Sequence, residues 1–221
     1  MEIIVNGVEY KLSDRLTIEE WQSVMKYDFA NAGNWANIIH LVTGAPRNVL
    51  AKGNIETLEL GAAIVVSLCN QRKEIKIKPL DQLTFGEFVD LDSYIAMGIA
   101  DHLDDMAKIL CETEWADEAL WAIEQWTNYR LFIFRQYSEL FGIDDMPDPD
   151  DDDYEAPIQK DAVARNWYKI IVDLADDDIL KLDAVTDQPL IKTLNFMALR
   201  KERQVQENMR IIEQNAKLQK R

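Results

Sequence analysis

Along most of this chain apolar residues return every three or four positions, the spacing of helices with one buried face. The exception comes first. "EIIV" and "VEYKL" are short β-prone runs on either side of Asn6-Gly7, the pair that best accepts the positive φ angles of a two-residue hairpin turn. Helical spacing follows. "LTIEEWQSVMKYDFA" begins with a capping box, in which Thr17 accepts from the Glu20 amide and Glu20 reaches back to the Thr17 amide. Ile18, Trp21, Val24, Met25 and Phe29 then recur at helical intervals. "NWANIIHLVTGAP" predicts a second helix, stopped by Gly44 and Pro46, and "NIETLELGAAIVVSLCNQ" a third, apolar enough to be central.

The logic of the N-terminus then returns. "EIKIKPLDQLTFGEFVDLDSYIA" reads as a β-like run, a short connection and a capped helix. "LTIEEW" at 16–21 and "LTFGEF" at 83–88 share the pattern Leu-Thr-x-x-Glu-aromatic, with Thr84 and Glu87 forming the second box. Capping boxes are common, so coincidence is one reading. In the other, residues 74–78 join the hairpin as a third strand and bring both strand-to-helix junctions to one edge of a small sheet. A lone hairpin is marginally stable, so a third strand is physically wanted.

Helical spacing continues through "DHLDDMAKILCE" and the long "ADEALWAIEQWTNYRLFIFRQYSELFG", where Leu120, Ile123, Trp126, Thr127, Leu131, Phe134 and Leu140 keep an apolar stripe, with Trp121 and Phe132 beside it. Gly142 is its natural terminator. "AVARNWYKIIVDLA" predicts another helix, and "DDILKLDAVTDQPL" a short helix and turn, with Asp176, Asp177 and Asp178 as cap and first turn. A final long helix has Pro189 in its first turn. The expected fold is therefore mainly α: a helical bundle with a small N-terminal β-hairpin or three-stranded sheet and a long C-terminal helix.

One stretch has no such period. "IDDMPDPDDDDYEAP", 143–157, carries eight acids, no base and three prolines. A calcium loop started at Asp148 supplies Asp150 and Asp152 at its third and fifth positions. It then has Asp153 where the turn needs Gly and Gln159 where the bidentate Glu belongs. Prolines and like charges make an extended spacer instead. Residues 144–157 are expected to be an acidic linker between a helical domain at 1–143, which holds the β element, and a C-terminal helical segment at 158–221.

Charge narrows the function. The net charge of −16 opposes nucleic-acid binding, which usually needs a basic face. Cys69 and Cys111 lie in apolar helical contexts without a second Cys or a His at ligand spacing, which points to free thiols in a reducing cytosol. The start has no signal-peptide pattern, and "GAAIVVSLC" is too short to span a bilayer, so no membrane partner is expected. Catalytic arrangements are thin. His102 has Asp101 and Asp105 nearby, but no GxSxG, HExxH, GxGxxG or GxxxxGK[ST] occurs. No catalytic residue, cofactor or metal ligand is assigned, and the chain is expected not to be an enzyme.

Binding residues are better candidates. In "WTNYRLFIFRQY" apolar side chains fall on more than one side of the helix, which leaves core packing and a partner surface both open for Trp121, Trp126, Tyr129 and Arg130. From Lys192 to Arg221 there are eight Lys or Arg against three acids, and the apolar positions Leu194, Met197, Ala198, Val205, Met209, Ile212 and Leu218 thin out towards the end. Met197, Arg200, Arg203, Met209 and Ile212 are therefore the candidate contacts of a long, basic helix that buries little alone.

Three stretches carry a resemblance: the hairpin followed by "LTIEEWQSVMKYDF"; "NWANIIHLVTGAPRNVL"; and "WYKIIVDLADDDILKLDAVTDQPLIKTLNFMALRKERQVQEN". In layout they resemble the tail-assembly chaperones and baseplate-hub assembly proteins of tailed bacteriophages, which are small, acidic, mostly helical and without enzymatic motifs. The resemblance implies a non-enzymatic tail, neck or baseplate structural or assembly protein. Its partners would be other phage tail or baseplate proteins and further copies of itself, in the host cytoplasm during assembly or in the virion. A transient chaperone for the tape-measure or tube protein stays open, as does, from another class, a small metal-dependent enzyme or regulator using His102 or the acids at 148–153.

Overall fold

The computed structural model describes residues 2–5, 7–141 and 160–219. Strands β1 (Glu2–Val5) and β2 (Val8–Lys11) are followed by helices α1 (Ile18–Val24), α2 (Trp35–Thr43), α3 (Arg47–Leu50), α4 (Ile55–Cys69), α5 (Phe85–Met97), α6 (Ile99–Leu110), α7 (Ala116–Gln136), α8 (Ser138–Phe141), α9 (Lys160–Leu174), α10 (Leu182–Thr186) and α11 (Leu190–Gln219). The mainly α fold, the small sheet and the long last helix match the expectation from the sequence. The acidic linker at 144–157 lies outside the described residues.

The described residues form two compact units, one of 1–78 with 97–126 and one of 79–96 with 127–221. This is not the division expected at the acidic stretch. The segment after that stretch belongs with α5 and the second half of α7, because its Trp167 is built into their aromatic cluster.

In the first unit β1 and β2 pair antiparallel, Val5 opposite Val8 and Glu2 opposite Lys11. Gly7 has φ 77°, as a tight hairpin requires; Asn6 lies outside the described residues. Ile3 and Val5 point inward while Glu2 and Ile4 are exposed, the period-two pattern of a half-covered strand. The buried side chains approach α4, where Gly61 is needed: a Cβ there would stand 2.7 Å from Ile39 Cδ1 and 3.2 Å from Ile3 Cδ1. Gly in a helix interior costs about 1 kcal/mol relative to Ala, which the close approach of α2 and β1 offsets. Trp21 of α1 is buried and donates its indole N–H to the Cys69 carbonyl at the end of α4.

Two expectations for this unit change. The first helix is shorter than its pattern, ending at Val24; Tyr27 closes a turn onto the Val24 carbonyl, and Asp28 accepts from the Ala30 amide. No third strand forms among the described residues, and the sheet has only β1 and β2. The bonds at the two ends of the β-like run go elsewhere: Lys73 N–H, just before it, donates to Asp117 O, and Lys78 N–H, its last, to Leu110 O.

The second unit is organised by aromatic rings. Trp167 of α9 meets Phe85, Phe88 and Phe141 edge-to-face at centroid distances of 5.8, 5.4 and 5.9 Å. Phe134 joins through Phe88 and Phe141. Such pairs each contribute about 0.5–1.5 kcal/mol beyond their burial. The Trp167 indole N–H donates to Asp92 Oδ2 at 2.7 Å, and buried Asp92 also takes the Arg130 guanidinium, so the buried charge is paired. Between α9 and α10 the three aspartates split their roles. Asp176 and Asp177 adopt positive φ, which Asp tolerates better than most residues, while Asp178 alone caps the next turn through the Leu180 amide.

The recurring hexapeptide marks one geometry built twice. In the first unit Ile18 N–H donates to Glu114 O and Ala116 N–H to Leu16 O, so Thr17 sits opposite Trp115. In the second, Phe85 N–H donates to Gln188 O and Leu190 N–H to Leu83 O, so Thr84 sits opposite Pro189. Each clip joins the start of one capped helix to the start of a later one: α1 to α7, and α5 to α11. Both capping boxes are present, with Glu20 and Glu87 returning to the Thr17 and Thr84 amides. The junctions thus pair with helix starts rather than with a sheet edge. Thr17→Ala and Thr84→Ala are each expected to lower stability by about 1 kcal/mol in urea unfolding; melts that overlay the parent would remove the caps from this account.

A candidate binding surface on the C-terminal helix

Helix α11 is thirty residues of "LIKTLNFMALRKERQVQENMRIIEQNAKLQ" without Gly or Pro. Its two halves differ. Leu190, Thr193, Leu194 and Met197 are buried, at helical spacing, and belong to the core of the second unit. Arg200 donates to the Asp173 carbonyl and pairs with its carboxylate, and Lys201 donates to the carbonyls of Glu139 and Leu140. From Leu199 to Asn215 every residue is exposed.

The exposed half is nevertheless patterned. Val205, Met209 and Ile212 share one face and are 44%, 59% and 66% exposed. Glu202, seven residues before Met209, and Glu213, four after it, run along one border of that stripe. Further round, Arg203, Arg210 and Lys217 recur every seven residues as a row of cations. An apolar stripe edged by charge is what a helix presents to a partner groove.

The other sequence candidates fall elsewhere. Trp126 is 1% exposed and Met197 7%, so both are packing residues rather than surface contacts. Arg130 is held by Asp92 and lies 4.5 Å over the Phe134 ring, inside its own unit. Trp121 is half-buried; Tyr129 is exposed, as are neighbouring Leu131 and Phe132. Arg200 faces Asp173, and Arg203, Met209 and Ile212 are exposed on α11. Val205 completes the stripe, and its spacing from Met209 and Ile212 was the signal that identifies it in the sequence.

His102 Nδ1 is 3.7 Å from Asp105 Oδ2, one turn along α6. Burial pushes both the Cys69 and Cys111 thiols up to about 11, so neither is a ready nucleophile at neutral pH. Among the described residues no group of three or more His, Cys, Asp or Glu is placed to hold a metal ion, and no helix is long and apolar enough to cross a membrane. A cluster of charges locks the first clip: Arg15 Nη2 lies 2.6 Å from Asp117 Oδ1 and 2.7 Å from Glu118 Oε1, and its guanidinium covers the Trp115 ring at 4.6 Å. Lys73 Nζ is 3.0 Å from Glu118, and the Thr113 hydroxyl donates to it at 2.6 Å.

The chain matches no protein-family model, no curated protein and no solved structure.

Burial would raise the Glu118 carboxyl, but the hydrogen bonds from Thr113, Lys73 and Arg15 outweigh it and hold the group down at about 2, against an ordinary 4.5. A carboxyl depressed on folding adds stability that is full above its unfolded value and is lost as pH falls through its folded one. Glu118→Gln is therefore expected to melt below the parent at neutral pH, with the gap closing between pH 4.5 and 2. A gap that stays constant in thermal melts across that window would contradict the ion cluster.

Proposed function

We propose that this protein is a non-enzymatic binding protein that assembles with other proteins through the outer half of α11. The observation that carries the reading is the exposed Val205–Met209–Ile212 stripe on a helix whose root is fixed in its own core. Isolated helical turns are marginal in water, so a patterned but uncovered helix gains most from a surface supplied by another molecule. The resemblance in layout to tail-assembly chaperones and baseplate-hub assembly proteins of tailed bacteriophages makes a phage tail, neck or baseplate the proposed setting.

Mass spectrometry of purified mature virions from cells producing this chain tests the setting. Stoichiometric presence supports a structural part of the tail. Absence from virions, with recovery on tape-measure or tube protein from assembling cells, supports a transient chaperone. Absence from both would overturn the phage reading. In either positive case Met209→Asp with Ile212→Asp is expected to abolish the association without moving the thermal transition.

A further inference from the structure

The second unit holds an apolar groove of about 320 Å³ beside the root of α11. Leu174, Ala184, Val185 and Phe196 supply apolar lining, and Lys181, 3.6 Å from Asp178, and Lys192, which donates to Gln188, supply cations at its edge. Phe196 is itself exposed, as are Ile179 and Leu180 on the adjoining turn. The groove and the stripe are complementary: an apolar lining with lysines, against an apolar stripe bordered by Glu202 and Glu213.

A molecule cannot fill its own groove. Lys192 and Phe196 belong to the same unbroken helix as the stripe, and Val205 is carried roughly 13 Å beyond Phe196 at 1.5 Å per residue. The two surfaces also point apart. At 3.6 residues per turn, Val205, Met209 and Ile212 lie about half a turn round the helix from Phe196. Two α11 helices laid side by side therefore do not exchange both contacts at once, which favours one-directional docking over a reciprocal pair.

Resting on the binding role above, we propose that the α11 stripe of one copy docks in the α9–α10–α11 groove of a second copy, and that the contact repeats head to tail. Apolar burial supplies the attraction, while Glu202 and Glu213 against Lys181 and Lys192 select the orientation; exposed ion pairs give more specificity than affinity. A contact between two different surfaces closes into a ring if its rotation allows and otherwise extends as a filament.

Sedimentation velocity of the full chain over a range of concentrations tests this, with two variants altered at exposed positions. Lys181→Glu with Lys192→Glu disables the groove, and Met209→Asp with Ile212→Asp disables the stripe. Circular dichroism melts that match the parent establish that both fold. The parent is expected to form species larger than dimers as concentration rises, and each variant alone to be monomeric. Their equimolar mixture is expected to form dimers and nothing larger, since one intact groove meets one intact stripe and both outer ends are dead. A mixture that stays monomeric, variants that assemble like the parent, or a parent that stops at dimers would overturn the proposal. A parent that stays monomeric, yet loses a tail-protein partner through the stripe variant, would overturn self-docking and leave the binding role standing.

Discussion

The backbone clip that joins two helix starts is the interaction on which each unit depends. Two hydrogen bonds flank a threonine whose side chain caps its own helix, so one short segment fixes where two helices begin. The surroundings are tuned to protect it. In the first unit Arg15 covers Trp115 and ties down Asp117 and Glu118 in the first turn of α7. In the second, Gly86 leaves room for the chain: a Cβ there would stand 3.0 Å from Thr186 Cβ, just before the clip's Gln188 and Pro189.

The second clip explains why α11 carries a free surface. It pins Leu190 at the helix start, and burial of Leu194 and Met197 aligns the first turns with the core. The helix then runs unbroken to Gln219 with no Gly or Pro, the residues at which sharp kinks most often form. An unbroken thirty-residue helix held at one end outruns a small core, so the residues beyond Leu199 are uncovered because of how the root is held. That those residues still keep an apolar face, when a purely solvated segment needs none, is the reason to read them as a binding surface.

Much of the local structure was legible because its causes are local. The capping boxes at Thr17 and Thr84, the stop at Gly44 and the hairpin around Gly7 each depend on residues within a few positions. What failed depends on partners far along the chain. The run at 74–78 has strand character, but Lys78 at its end bonds to Leu110 and Lys73 just before it to Asp117, and nothing in the run names either partner. Arg130 looked like a hot-spot residue until Asp92 supplied its partner. Trp126 and Met197 sit on amphipathic helices, where spacing alone does not separate a core face from a partner face. The α11 stripe was readable in part: Met209 and Ile212 stood out, but the groove that complements them is assembled from three helices and has no sequence signature.

Hydrogen exchange along α11 tests most directly the claim that one helix is half core and half binding surface. Amides from about residue 194 to 198 are expected to exchange as slowly as the most protected amides of the second unit, and those from 203 to 216 far faster in dilute protein. Raising the concentration should slow exchange in 203–216 and around 181–185 together, since one copy's stripe covers another's groove. Uniform protection along the whole helix, unchanged by concentration, would mean that the outer half belongs to the protein's own fold and would contradict the account.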